Sequence, residues 1–126
     1  MTDRPAKPIS SSQLSELVVK GMLEKKALDI SVLDLREVKN AIADYFVICS
    51  GNTENQVDAI TDSIEDEVNK GSKQNPWHKE GVQNKEWILL DYLDVVCHVF
   101  RKDKREFYDL EAFWGDAKIQ KIELVM

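Results

Sequence analysis

The sequence predicts a single α/β domain, a sheet of about five strands with helices packed on it, and three observations carry that class. A length of 126 residues suits one domain and hardly two. Segments with apolar residues at helical spacing alternate along the chain with short β-rich apolar runs. No internal repeat or low-complexity tract interrupts that alternation. At 43% hydrophobic and 32% charged residues, the composition supports a packed core and does not mark a disordered chain.

Taken in order, residues 1–11, with two prolines and several turn-favouring residues, read as a loose leader. The domain is expected over residues 12–117. Ser12 is the expected cap of a first helix, with Leu14, Leu17, Val18 and Met22 on one stripe and Glu16, Lys20 and Glu24 outside it. Leu28 to Leu35 form a first strand, closed by Arg36, Glu37 and Lys39. Asp44 to Gly51, DYFVICSG, is nearly continuous in apolar β-formers and suits a strand buried on both faces. Thr53 with Gln56 three positions on makes a capping box. The second helix behind it repeats Val57, Ile60, Ile64 and Val68, and Gly71 is its expected stop. The polar stretch Ser72 to Lys85 has room for one short strand and carries the isolated Trp77 and His78.

Two strong strands follow, Glu86 to Asp91 and Asp94 to Arg101, flanking Tyr92-Leu93. A tight hairpin over those two residues sets Asp91 opposite Asp94, Leu89 opposite Val96 and Trp87 opposite His98. Ile88, Leu90, Val95, Cys97 and Val99 then share an apolar core face. Trp87, Leu89, Asp91, Asp94, Val96, His98 and Phe100 share the other. A sheet face meeting only water has little use for Trp87, Leu89, Val96 and Phe100 together, so a helix or a partner should cover it. Asp103 to Trp114 reads as a last helix with Phe107, Leu110, Glu111 and Trp114 on one side and Gly115 as its stop. Residues 118–126 form a short tail able to pack as an arm or a small strand.

Charge and cysteine content exclude several function classes. Seventeen basic residues against 23 acidic ones give a net charge of -6, which argues against binding a phosphate backbone, DNA included, and favours a basic partner. Cys49 and Cys97 stand inside apolar runs without CxxC spacing, the usage of a reducing compartment. The four close Cys/His ligands of a structural zinc site are absent, and no cofactor or metal is expected. The amino terminus lacks the apolar stretch of a signal peptide, and no segment reaches the roughly 20 apolar residues of a membrane span. A cytoplasmic protein that does not enter membranes is the expectation.

Candidates for catalysis are thin. His98 near Asp91 or Asp94 has the chemistry of a general base and Cys97 that of a nucleophile, yet neighbours on a strand point to opposite faces. The pair Asp91 and Asp94 would repel unless a cation or a partner's lysine or arginine relieved it. Ser50-Gly51 leads into a helix, without the closely spaced strand carboxylates of metal-dependent nucleotidyl transfer. The cationic run Arg101, Lys102, Lys104 and Arg105 is suited to contact with phosphate or with an acidic patch, or to a solvated turn and helix start. Trp87 lies on a face that also carries charges, the setting of a binding anchor.

The strings DYFVICSG, the Gln56 after it, EWILLDY at Glu86 to Tyr92, DVVCHVF at Asp94 to Phe100 and REFYDLEAFWGDA at Arg105 to Ala117 resemble, in order and spacing, the Iojap family of ribosomal silencing factors. The resemblance implies a compact α/β domain with a mixed sheet, nucleotidyltransferase-like without catalytic carboxylates. It implies no enzymatic activity. The implied role is to bind the large ribosomal subunit through its ribosomal protein numbered fourteen and to block joining with the small subunit when nutrients are short. It also implies a homodimer when free. The mixed hairpin face is the expected contact: Trp87 and Leu89 as anchors, Phe100 behind them, Asp91 and Asp94 facing basic groups, His98 against Trp87, and Arg105 and Tyr108 on the rim. Members of the family usually carry glycine where this chain has Leu93, and a β-branched residue where it has Cys97. The competing readings are a residual magnesium-dependent nucleotide-binding enzyme and a dimerising adaptor.

Overall fold

The computed structural model describes residues 9–109, 112, 115 and 117–122. Its elements run α1 (Ser11–Glu24), β1 (Leu28–Asp34), β2 (Tyr45–Gly51), α2 (Glu54–Ser72), β3 (His78–Glu80), β4 (Trp87–Asp91), β5 (Val95–Arg101), α3 (Lys102–Tyr108) and β6 (Lys118–Ile122). The sheet has six strands in the order β3-β4-β5-β2-β1-β6. Among the described residues only β2 and β5 pair in parallel, so the sheet is mixed. The sixth strand comes from the segment read as a tail, Lys118 to Ile122, which pairs antiparallel with β1.

One sheet face packs on α1 and α2. Val47, Cys49, Val95, Cys97, Val99, Ile88 and Leu90 are all buried against Val18, Met22, Val57, Ile60 and Ile64, which is the core face the hairpin pattern predicts. Every residue of β2 is buried, as its unbroken apolar run requires of a central strand. The two helices meet closely because Gly21 leaves room: a Cβ there would stand 2.6 Å from the Ile64 Cα, and Ser63 Oγ donates to the Gly21 carbonyl at 2.8 Å.

Several boundaries differ from the sequence reading, each for a physical reason. Ser10, not Ser12, caps α1, because Gln13 three residues on completes a reciprocal box with it. Thr53 caps α2 as expected. The Gln56 side chain instead accepts from Asn52 N at 2.6 Å and donates to the Lys25 and Lys26 carbonyls, tying α2 to the end of α1. Gly71 lies inside α2, where its bare Cα admits Leu17. The helix stops at Lys73, which takes the left-handed conformation at φ 60°. The short strand expected between Ser72 and Lys85 is β3. Within the segment read as a last helix, α3 ends at Tyr108, with Asp109 left-handed at φ 42°, and Ala112 beyond it is again helical. Leu110, Glu111 and Trp114, assigned to that helix from their spacing, lie outside the described residues, as do residues 1–8 of the leader and Leu124 and Val125 of the tail.

The hairpin register also differs. Asp91 pairs with Val96, Leu89 with His98 and Trp87 with Phe100, two residues displaced from the tight-turn register. Asp94 cannot pair with β4 because its carbonyl accepts from Asp44 N at 2.8 Å and Tyr45 N at 3.1 Å. The turn closes instead around Leu93. Asp94 N donates to the Tyr92 carbonyl at 3.0 Å, Leu93 has φ 75°, and Asp91 Oδ1 accepts from Leu93 N at 2.8 Å. That is a γ-turn of the strained, positive-φ kind. A displacement of two preserves the side-chain alternation, so the face assignments hold for every paired residue. Asp91 and Asp94 are not cross-strand partners, and the expected opposition of their charges does not arise.

Candidate functional site

The sheet face away from α1 and α2 carries the second cluster: Leu33, Leu35, Ala43, Phe46, Ile48, Val96 and Phe100, with Val38, Ala41, Trp87 and Leu89 partly buried against it. Strand alternation puts Trp87 and Leu89 of β4 and Val96, His98 and Phe100 of β5 on this face. Phe46 of the neighbouring β2 lies 4.7 Å from the His98 ring. Trp87 stacks on Phe100 at 5.0 Å between centroids, and Tyr108, delivered by α3, meets Trp87 at 4.7 Å and Phe100 at 5.7 Å. Ring contacts of this kind add to plain burial and fix the rings' orientation.

His98 is the polar centre of the cluster. Trp87 Nε1 donates to its Nδ1 at 3.0 Å, which places the imidazole proton on Nε2. Nε2 is buried and has no hydrogen-bond partner among the described residues. Burial pushes the His98 pKa down to about 3, so the ring is neutral throughout the physiological range and is not available as a base that holds a proton near neutrality. Cys97 faces the opposite side of the sheet, and desolvation pushes both Cys97 and Cys49 thiols up, away from the reactive thiolate. The Cys97–His98 pair is therefore split by the sheet.

The residues expected to contact a partner separate into groups. Trp87, Leu89 and Asp91 are half-buried, Asp94 is exposed, and Tyr108 is 37% exposed. His98 and Phe100 are buried and back the face from beneath. Arg105 does not join its rim. Its guanidinium reaches the Asp29 carbonyl, Ser50 Oγ at 3.0 Å and Ser31 Oγ at 3.3 Å, pinning α3 to the ends of β1 and β2. Ile42, 77% exposed in the loop between β1 and β2, was not singled out from the sequence. Its only signal is an isolated isoleucine in a segment without periodicity. It stands two residues from Asp44, whose N–H binds the Asp94 carbonyl, and Leu93, 52% exposed, adjoins Asp94. Among the described residues, three or more His, Cys, Asp or Glu side chains nowhere gather into a metal-holding group.

These features define a small α/β domain with a mixed six-stranded sheet, one face closed by two helices and the other built as an aromatic surface. The same fold is found in a crystal structure from Chromobacterium violaceum, with a TM-score of 0.79, 27% identity and 94% of each chain covered. A crystal structure from Bacillus halodurans matches with a TM-score of 0.72 at 34% identity, covering 90% of this chain and 99% of that one. The family model described as "Ribosomal silencing factor during starvation" matches residues 8–125. The chain belongs to that family, the ribosomal silencing factors. It is similar to ribosomal silencing factor RsfS of Bacillus subtilis, 42% identical over 82% of this chain and 86% of that protein. It is 38% identical to the protein of the same name from Halalkalibacterium halodurans over 94% and 99% of the two chains. The chloroplastic protein Iojap of Zea mays is 37% identical over 79% of this chain, which spans 42% of that protein.

Proposed function

We propose that this protein binds the large ribosomal subunit through the subunit's ribosomal protein numbered fourteen, and silences translation by standing in the way of the small subunit when nutrients are limiting. The observation that carries this reading is the aromatic face: Trp87, half-exposed, stacked on Phe100 and hydrogen-bonded to His98. A tryptophan held in one orientation before binding loses little freedom on binding, which is what makes such residues hot spots. Around it Leu89, Tyr108 and Ile42 supply apolar contact, and Asp91 and Asp94 supply charge for a basic protein surface. The net charge of -6 favours a protein patch on the ribosome over its RNA. Steric occlusion requires a bound volume and no chemistry, in keeping with a neutral His98 and two protonated thiols. The reading places the protein in the cytoplasm. In the free state two copies associate through the same face, so self-association and ribosome binding compete.

Co-sedimentation with purified large subunits tests this. Trp87→Ala should weaken binding by about 2 kcal/mol, roughly 30-fold. Asp94→Lys, at an exposed position that leaves the fold alone, should weaken it and lower its salt sensitivity. Unchanged affinity in both variants moves the contact off this face, and failure of the wild type to sediment with large subunits removes the reading. Sedimentation of the free protein beside Trp87→Ala reports whether self-association uses the same residues.

A further inference from the structure

The sheet has one parallel pair, β2 and β5, ending at Gly51 and Arg101. In sheets with parallel strands, ligands settle in the crevice beyond the strands' carboxyl ends, where the chain departs to different sides. A cavity of about 980 Å³ opens there, between the ends of β1, β2 and β6 and the flank of α3. Its volume is that of a site for a small organic ligand. It lies on the Arg105 side of α3, away from Trp87 and His98, and takes no part in the face described above.

The lining is ordered by depth. Ser31 and Ser50 are each 1% exposed and form the floor with Arg105, whose guanidinium donates to both hydroxyls and to the Asp29 carbonyl. Ser50 Oγ accepts from Arg105, which leaves its own hydroxyl proton to donate. Lys102 and Lys121 stand exposed at the mouth on opposite walls, α3 and β6. The carboxylates of Asp29, Glu106 and Asp109 are all exposed, at the rim. Arg101, also in the lining, is engaged by Asp103 at 2.7 Å and Glu54 at 3.3 Å. Hydroxyl and cationic donors therefore run from floor to mouth, and the side-chain carboxylates stand at the rim. Asp29 holds φ 50° at an irregularity in the β1–β2 register between Leu28 and Ser31. Bulged or left-handed backbone at a non-glycine residue is concentrated at binding sites, where the surroundings must maintain it.

We propose that this cavity binds a phosphorylated, hydroxyl-bearing metabolite of up to nucleotide size. The phosphate lies against Ser50 and Arg105 between Lys102 and Lys121, and the sugar hydroxyls donate to the rim carboxylates. Phosphate oxygens match charge-assisted donors, and an exposed carboxylate accepts from a sugar hydroxyl, so the cationic and hydroxyl donors suit one end of such a ligand and the rim carboxylates the other. The site is independent of ribosome binding.

Amide chemical shifts of the full-length protein, titrated separately with ribose 5-phosphate, AMP and inorganic phosphate, test the proposal. The expected result is saturable shifts at Asp29, Ser50 and Asn52 with the sugar phosphates, and weaker binding of inorganic phosphate. The double variant Lys102→Gln, Lys121→Gln, at two exposed positions, should weaken sugar-phosphate binding by about tenfold or more through loss of charge-assisted contacts. Ser50→Ala should weaken it with the spectrum otherwise retained. Shifts that do not saturate overturn the site. Equal affinity in the double variant overturns the phosphate placement, and inorganic phosphate binding as tightly as ribose 5-phosphate overturns the ligand class.

Discussion

The buried imidazole makes stability depend on pH in a way that can be worked out from the structure. His98 is 3% exposed and its pKa is pushed down to about 3 by burial, whereas an unfolded chain presents an ordinary histidine near pH 6.5. Between those values the unfolded state binds the proton and the folded state does not. The stabilising contribution is therefore complete above about pH 6.5 and is lost as pH falls toward 3. At pH 5, about 1.5 units below the unfolded value and with 1.36 kcal/mol per unit, the folded state should have lost about 2 kcal/mol. The assay is urea unfolding between pH 7.5 and 5 in a His78→Gln background. This chain has two histidines, so His98 is then its sole imidazole. His98→Gln in that background should be less stable at pH 7.5 but should shed most of the pH 6.5-to-5 slope. If both proteins lose stability in parallel over that interval, His98 is not held neutral by burial and the reasoning fails.

Two further outcomes follow from the backbone. Leu93→Gly should stabilise the protein by about 0.5–1 kcal/mol, because a left-handed non-glycine residue costs about 1–2 kcal/mol and glycine returns part of that as chain entropy. Leu93 is 52% exposed, so little packing is lost, and the urea midpoint should rise; a fall would mean the turn is not strained. Gly21→Ala and Gly71→Ala should differ in thermal melts. A Cβ at Gly21 meets Ile64 backbone at 2.6 Å, while one at Gly71 meets only the end of the Leu17 side chain at 2.7 Å. The first should cost about 1–3 kcal/mol as the helices part. The second should be near neutral, since Leu17 can turn aside and alanine gains up to about 1 kcal/mol of helix propensity. Equal melting shifts would contradict the helix contact.

What the sequence made legible was local. The apolar stripe of α2, the unbroken run of β2 and the two faces of β4 and β5 follow from side-chain period alone, and they emerge in the structure with the same residues. What it hid depends on partners distant in the chain. Nothing near Asp94 announces that its carbonyl is claimed by Asp44 and Tyr45, and that claim displaces the hairpin by two residues. Gly71 has the look of a helix stop, and only the approach of Leu17 from another helix shows it to be a spacer. Three consecutive serines can each cap α1, and the choice of Ser10 turns on the reach of Gln13. Of the candidate site, Trp87 and Leu89 are legible as an aromatic and an aliphatic group on a mixed face, while Tyr108 enters with the resemblance, as a rim residue. The reach of the Arg105 side chain across to β1 and β2 depends on the fold, and exposure of a lone isoleucine such as Ile42 has no sequence signature.

The pairing of β6 with β1 carries a consequence for how the molecule comes into being. Ser31 pairs in register with Lys121, far along the chain, and the central pair β2 and β5 waits on α2, β3 and β4 between them. Contacts so far apart in the chain are slow to form. During synthesis β1 keeps an open edge until Lys118 to Ile122 have emerged. Truncation before Lys118 should leave that edge exposed and prone to pairing with other chains.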